Sequence, residues 1–189
     1  MSIKRRQSGL SMVELIIFIV IVGIAVIGII NVFGVNLRGS ADPMRRKQAL
    51  AIAEGLLEEV RLARFSYCDA ADPAAELPAT TSPANCAVPE TAGPESGNSR
   101  PFDNVNDYVP AFGTAATYTA DAAGNPFPTG YTVLLTIVAD SAFGPAGATI
   151  PADGTPANMN VLRITVTVNY GSNSVVLDSY RTRYAPRAI

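Results

Sequence analysis

The sequence predicts an α+β protein. One long N-terminal helix, its first half membrane-spanning and its second half amphipathic, packs on a C-terminal antiparallel β-sheet. Three observations predict it. After Glu14 no charged residue occurs before Arg38, an apolar run longer than the roughly 20 residues that cross a bilayer. Between Pro43 and Arg64, Leu50, Ala53, Leu57, Val60 and Ala63 recur at three- and four-residue spacing, a stripe of helical period. From Val161 to Tyr170 the chain alternates, with Leu162, Ile164, Val166 and Val168 on one face and Arg163, Thr165, Thr167 and Asn169 on the other. A second run, Val175 to Tyr184, returns after the turn Gly171-Ser172-Asn173 as the partner of an antiparallel hairpin.

The N-terminal helix runs from Leu10 to about Leu37 and is apolar on every side, as suits surroundings of lipid or other helices. Lys4, Arg5 and Arg6 precede it, which places the N-terminus in the cytoplasm and exports the remainder, residues 38–189, as one domain. Glu14 is the exception inside the run. A carboxylate at the centre of a membrane helix costs about 2.5–3.5 kcal/mol, so it marks function and calls for a partner. Gly23 and Gly28 either let a neighbouring helix approach or reflect the ordinary frequency of glycine in membrane helices. An ordinary secretory signal would have its apolar core before an A-x-A-like cleavage site, and none closes this run. A plain signal anchor with a stray Glu is the other simple reading.

Asp42 followed by Pro43 is a good N-cap and first helical residue, whereas Arg45, Arg46 and Lys47 would crowd the positive end of a new helix dipole. The expectation is a kink or short break there within one rod, the basic cluster facing phospholipid or an acidic neighbour. The amphipathic stretch 43–64 should cover the sheet. From Phe65 to Pro128 the composition turns to Ala, Pro, Thr, Asn and Gly, which predicts a long variable loop. The sheet occupies 129–189, opening with the β-branched run Tyr131 to Ala139, and the Gly/Pro-rich stretch Phe143 to Pro156 is a surface loop.

Composition narrows the chemistry. The 189 residues include no histidine and no tryptophan, so histidine-based triads and most zinc sites are out of reach. No nucleophile, base and orienting group recur at workable spacing, so no enzyme and no cofactor are expected. The net charge of −2 gives no footprint for nucleic acid. Cys68 and Cys86 fall on the exported side, where a pair reads as a disulfide closing a loop of about 18 residues, worth about 3 kcal/mol, with two free thiols as the alternative. Asp103, Asn104, Asn106 and Asp107 gather oxygen ligands and raise a calcium hypothesis. The EF-hand spacing fails because Val105 occupies a ligand place, and Asx turns that satisfy local backbone account for the same cluster.

The stretch Gly9-Leu10-Ser11-Met12-Val13-Glu14-Leu15 behind a basic leader resembles the class III signal of type IV prepilins and pseudopilins. The resemblance implies a pilin-like fold, removal of residues 1–9 by a prepilin peptidase that cuts between Gly9 and Leu10, and N-methylation of Leu10. It implies that Glu14, the fifth residue of the mature chain, pairs with the terminal amine of a neighbouring subunit during assembly. The helix departs from the family in lacking its frequent proline, Asn31 standing near that place. Ser40-Ala41-Asp42-Pro43-Met44, Gln48-Ala49-Leu50, Ala53-Glu54 and Leu57-Glu58-Glu59 are similar to minor pilins of mannose-sensitive haemagglutinin pili, as are Glu95-Ser96-Gly97 with Arg100, Phe102-Asp103-Asn104-Val105, Asp107-Tyr108 and Ser179-Tyr180-Arg181. That likeness implies a disulfide outside the C-terminal loop of many major pilins. The implied partners are other pilins, the prepilin peptidase and an inner-membrane assembly platform with its ATPase. The implied location is the bacterial inner membrane, with a periplasmic C-terminal domain, and then the pilus. A pseudopilin of a type II secretion system has the same architecture, and a membrane-anchored periplasmic binding module is the reading from another class.

Overall fold

The computed structural model describes residues 11–183 and, for residues 34–42, the backbone alone. Gly9 and Leu10, and the expected end of the last strand at Tyr184, lie outside the described residues. One helix, α1 (Met12–Leu62), and one four-stranded antiparallel sheet make an α+β chain, as the patterning predicts. Contacts divide the chain into two units, residues 1–44 and 45–189.

In the first unit α1 is apolar on all sides. Its stretch Met12–Phe33 has a mean hydropathy of 3.2 with none of it buried, long and apolar enough to cross a membrane. The break expected before Pro43 is absent: α1 continues through that proline for 51 residues in all. An interior proline loses one backbone hydrogen bond and costs about 3 kcal/mol. The Ala-, Leu- and Glu-rich run 49–59 that follows it is made of good helix formers. The Asp42–Pro43 pair therefore does not start a helix.

In the second unit, residues 45–62 of α1 lie on the sheet. The buried line is Ala49, Ala53, Leu56, Val60 and Ala63, so the predicted stripe is corrected at two positions. Leu50 is 37% exposed and Leu57 only half-buried, because the face against the sheet starts from Ala49. Ala49 itself is fully buried in the core cluster. Leu56 supplies the bulk that Leu57 was expected to bring.

The sheet is a meander, β1 (Ala116–Tyr118), β2 (Tyr131–Ala139), β3 (Val161–Tyr170) and β4 (Asn173–Thr182), in that spatial order. In β2 and β3 the buried residues pair across the ladder, Val133 with Val168, Leu135 with Val166 and Ile137 with Ile164, which places one apolar face under α1. Arg163 is exposed, and Thr165, Thr167 and Asn169 are half-buried on the opposite face. Strand β4 begins two residues before the sequence suggests. Tyr170 pairs with Asn173, leaving Gly171 and Ser172 as the turn. Gly171 adopts φ 57°, the left-handed conformation that the first residue of a II′ turn requires.

The region 65–128 is less loop-like than its composition implies. It contributes β1 to the sheet, a three-residue strand too short for a period-2 pattern to register. It also holds two short 3₁₀ turns, Pro83–Asn85 and Val105–Tyr108, and the second is buried throughout. Where α1 ends, the chain pairs with this region: the Arg64 N–H donates to the Asp103 carbonyl at 3.0 Å and the Val105 N–H to the Arg64 carbonyl at 2.9 Å. Arg181 of β4 donates through Nη2 to the Ala63 carbonyl at 3.3 Å, a cation at the negative end of the helix. Arg45 lies beside the sheet instead of standing clear of the domain. Its carbonyl accepts from the Tyr131 hydroxyl at 3.4 Å, and its guanidinium nitrogens are the nearest atoms to the space above Gly130 and Gly171.

Candidate functional site

The first candidate is the start of α1. The Ser11 hydroxyl accepts from the Glu14 N–H at 3.3 Å, an N-cap contact that satisfies one orphan donor of the first turn. Glu14 follows in that turn, exposed, where the helix dipole favours an anion. It is the one ionisable residue in Met12–Phe33.

The second candidate is built by the region 65–109. Cys68 and Cys86 are bonded, with Cα atoms 5.3 Å apart, which resolves the two readings of the pair in favour of the disulfide. The bridge fastens two backbone segments. The Asp69 N–H donates to the Val88 carbonyl at 3.1 Å and the Glu90 N–H to the Tyr67 carbonyl at 2.9 Å. Buried Asp72 closes the loop from inside, its two oxygens accepting the Val88 and Ala74 N–H groups at 2.8 Å each. Those bonds, Val88 first, hold its carboxyl below the usual carboxylate range.

The ladder carries Glu90 inward until only 1% of it is exposed. The chain then turns at Gly93, whose φ of 97° is in the left-handed region and whose N–H donates to the Asn106 carbonyl at 3.1 Å. A second turn follows, closed by Asn98 N–H to the Glu95 carbonyl at 3.0 Å. The 3₁₀ turn comes last. Asn104 precedes it, and the Asp107 carboxylate reaches back to the Asn104 N–H at 3.1 Å, a reciprocal cap.

These turns bring three carboxylates together. Glu90, Glu95 and Asp107 each place an oxygen within 4.8 Å of the other two. The Asn98 side-chain nitrogen bridges the group, lying 3.3 Å from Glu95 Oε2, 2.8 Å from Asp103 Oδ1 and 3.3 Å from Asp107 Oδ2. An amide has two protons for these three acceptors. Glu90 Oε1 and Asp107 Oδ1, both buried, have no hydrogen-bond partner. Burial first, then the charges of Asp107 and Glu95, push the Glu90 carboxyl up to about 9. Burial and the neighbouring Asp103 push that of Asp107 up to about 7.

Of the four oxygen ligands foreseen in the sequence, only Asp107 joins the core of this cluster. Asp103 stands exposed at its rim, bonded to Asn98. Asn104 is committed elsewhere: its Nδ2 donates to the Ser66 hydroxyl at 3.0 Å and its Oδ1 accepts from the Asn106 N–H. Asn106 is fully buried and neither polar atom of its side chain has a partner. The local-backbone reading thus describes Asn104 and one oxygen of Asp107. Glu90 and Glu95 were missed. They stand 17 and 12 residues before Asp107, and their one signal is that they are acids in a Pro-, Ala- and Ser-rich stretch.

A separate ion pair ties the region to α1. Arg100 donates to both oxygens of Glu59, through Nε at 2.9 Å and Nη2 at 2.5 Å, and through Nη1 to the Ala120 carbonyl at 2.7 Å. The Tyr108 hydroxyl also donates to Glu59, at 3.1 Å, and the guanidinium lies 4.5 Å from the centre of the Tyr118 ring. No known protein family, curated protein or solved structure matches the chain.

Proposed function

We propose that the chain is a non-enzymatic minor pilin of a type IV pilus, made as an inner-membrane precursor and cut between Gly9 and Leu10. The observation that carries this reading is Glu14. It is the sole ionisable group of an exposed, strongly apolar stretch of 22 residues, and it stands in the first turn of the helix. An unpaired carboxylate among lipid tails is costly, and a chain with a free amine at Leu10 supplies a cation that an adjoining copy can bring to it. The pair fixes the axial register of packed helices. The apolar surface of residues 12–33, exposed in the single chain, becomes helix-to-helix packing in the filament. The second half of α1 on its sheet carries the region 65–128, which presents the subunit-specific surface.

Mass spectrometry of the protein from its native cells tests the assignment, together with a Glu14→Leu variant. Mature material beginning at N-methylated Leu10 is expected. Glu14→Leu should still be cleaved and should be missing from sheared filaments. Retention of Met1, or a Glu14→Leu chain that enters filaments as well as the wild type, overturns the reading and leaves a membrane-anchored module.

A further inference from the structure

We propose that Glu90, Glu95 and Asp107 form a binding site for one calcium ion, with Asp103 and Asn98 at its mouth. The acids alone would not make a site. What points to a ligand is Glu90: a carboxylate 1% exposed, reaching to within 4.8 Å of its two acidic neighbours, with Oε1 bonded to nothing. Asp107, 2% exposed, repeats the pattern at Oδ1. A buried acceptor without a donor forfeits its hydration with nothing in return. Both unsatisfied oxygens belong to the same buried acidic cluster, and a cation there would give them a partner.

Protein cations do not fill the place. Among the described residues the ion pairs are Arg61 with Glu58, Arg64 with Glu76 and Arg100 with Glu59, none in this cluster. Arg183 is the cation that feels the Glu90 charge. Its guanidinium lies 4.0 Å from the centre of the Tyr67 ring and 4.3 Å from that of Phe65, and its Nε donates to the Met159 carbonyl at 2.7 Å. It makes no bond to Glu90. Among the described residues the amide of Asn98 is the side-chain donor that the hydrogen bonds give these carboxylates, and it is oversubscribed.

The donor set selects the ion. All ligands are oxygens, three of them carboxylates, which suits a hard cation and excludes the nitrogen and sulfur preference of zinc. Oxygens within 4.8 Å of one another are close enough to share one cation. Magnesium gives up its water reluctantly, so a site made of several carboxylates suits calcium better. Asn98 and Glu95 are half-buried and Asp103 exposed, so the mouth opens to solvent. Turning the Asn98 amide over would offer its carbonyl oxygen as a further ligand in place of the NH₂. The site fastens three turns, at Glu90, at Glu95–Asn98 and at Val105–Tyr108, so binding should order the region around the disulfide.

The test is calcium titration of the purified full-length chain in detergent after treatment with a chelator, read by calorimetry and by the thermal midpoint. One calcium per chain is expected, with a dissociation constant in about the micromolar to millimolar range and weaker binding of magnesium. Glu90→Gln keeps the shape of the side chain and should weaken calcium by about tenfold or more. Glu95→Gln, at the half-buried mouth, should weaken it too and carries little risk to folding. Glu76→Gln, an exposed acid outside the cluster, should leave it unchanged. Far-UV circular dichroism and an intact Cys68–Cys86 bond certify each variant. Absence of calcium binding by a folded wild type overturns the proposal, as does equal affinity in folded Glu90→Gln and Glu95→Gln. A Glu90→Gln chain destabilised in calcium-free buffer, with no calcium response in the wild type, would assign Glu90 to Arg183 instead.

Discussion

At the scale of single residues, two buried charges decide how the region 65–128 is held. The Glu59 and Arg100 side chains are 8% and 17% exposed, and they meet in a two-pronged pair across 41 positions of sequence. Removing one partner of a buried pair leaves the other uncompensated, so Arg100→Ala should cost about 2–4 kcal/mol, the lower end reflecting its partial exposure. Arg100→Lys should recover part of that, since an ammonium keeps the charge and loses the fork. Chemical denaturation of the three chains in detergent checks the order, and an Arg100→Ala chain as stable as wild type would refute it. Asp72 sets a pH dependence. Its folded carboxyl is held low by the Val88 and Ala74 N–H groups, so the ionised form is the one that folding favours. That stabilisation is fully present above the ordinary carboxyl value of about 4 and is lost as the pH falls through the lowered folded value. Between about pH 5 and pH 2 the urea midpoint of the wild type should therefore fall more steeply than that of Asp72→Asn. Parallel curves would show that the carboxylate contributes nothing in the folded chain.

At the scale of elements, the patterning of α1 makes a comparison of three leucines informative. Leu56→Ala, at 3% exposure beneath the sheet, should cost about 2–5 kcal/mol, Leu57→Ala clearly less, and Leu50→Ala under about 1 kcal/mol. Thermal midpoints measure the ranking, and a larger loss at Leu57 than at Leu56 would restore the stripe that spacing alone suggests. Periodicity could not separate the two, because adjacent leucines both fit a line through Ala53 and Val60; the buried line that begins at Ala49 takes Leu56. Strands β2 and β3 were legible to the residue, since a long period-2 run against one apolar face admits a single register. Strand β1 was not, being three residues inside a composition that reads as loop. The acidic cluster lies further still from what sequence shows. Asp107 belonged to a visible group of oxygen ligands, but Glu90 and Glu95 reach it only through the disulfide ladder, the left-handed Gly93 and the turn at Asn98. None of those leaves a spacing rule. Asn104, a neighbour in sequence, is turned away by its cap.

At the scale of the whole molecule, the two units differ in what would solvate them. Among the described residues every buried apolar side chain lies at Ala49 or later, and none from Met12 to Phe33 is buried. The second unit contains its own helix segment, its four strands and the disulfide, and among the described residues its core begins at Ala49. In the first unit the described side chains, Met12–Phe33, are all exposed, and an apolar surface of that kind needs lipid, detergent or like helices. A chain beginning at Arg45 should therefore stay in the aqueous phase of a detergent partition, keep its disulfide and unfold in one cooperative transition. The full chain should move to the detergent phase and need detergent throughout. The start of the shortened chain matters: it retains Arg45, which lies against the Tyr131 end of β2, and the buried Ala49 that sets the helix on the sheet. Beginning instead at Leu57 would remove Ala49, Ala53 and Leu56 from the core and should give an insoluble product. If the Arg45 chain aggregates while the full chain is soluble in detergent, residues before Arg45 complete the fold, and the division of labour between lipid-facing and sheet-facing halves of α1 fails.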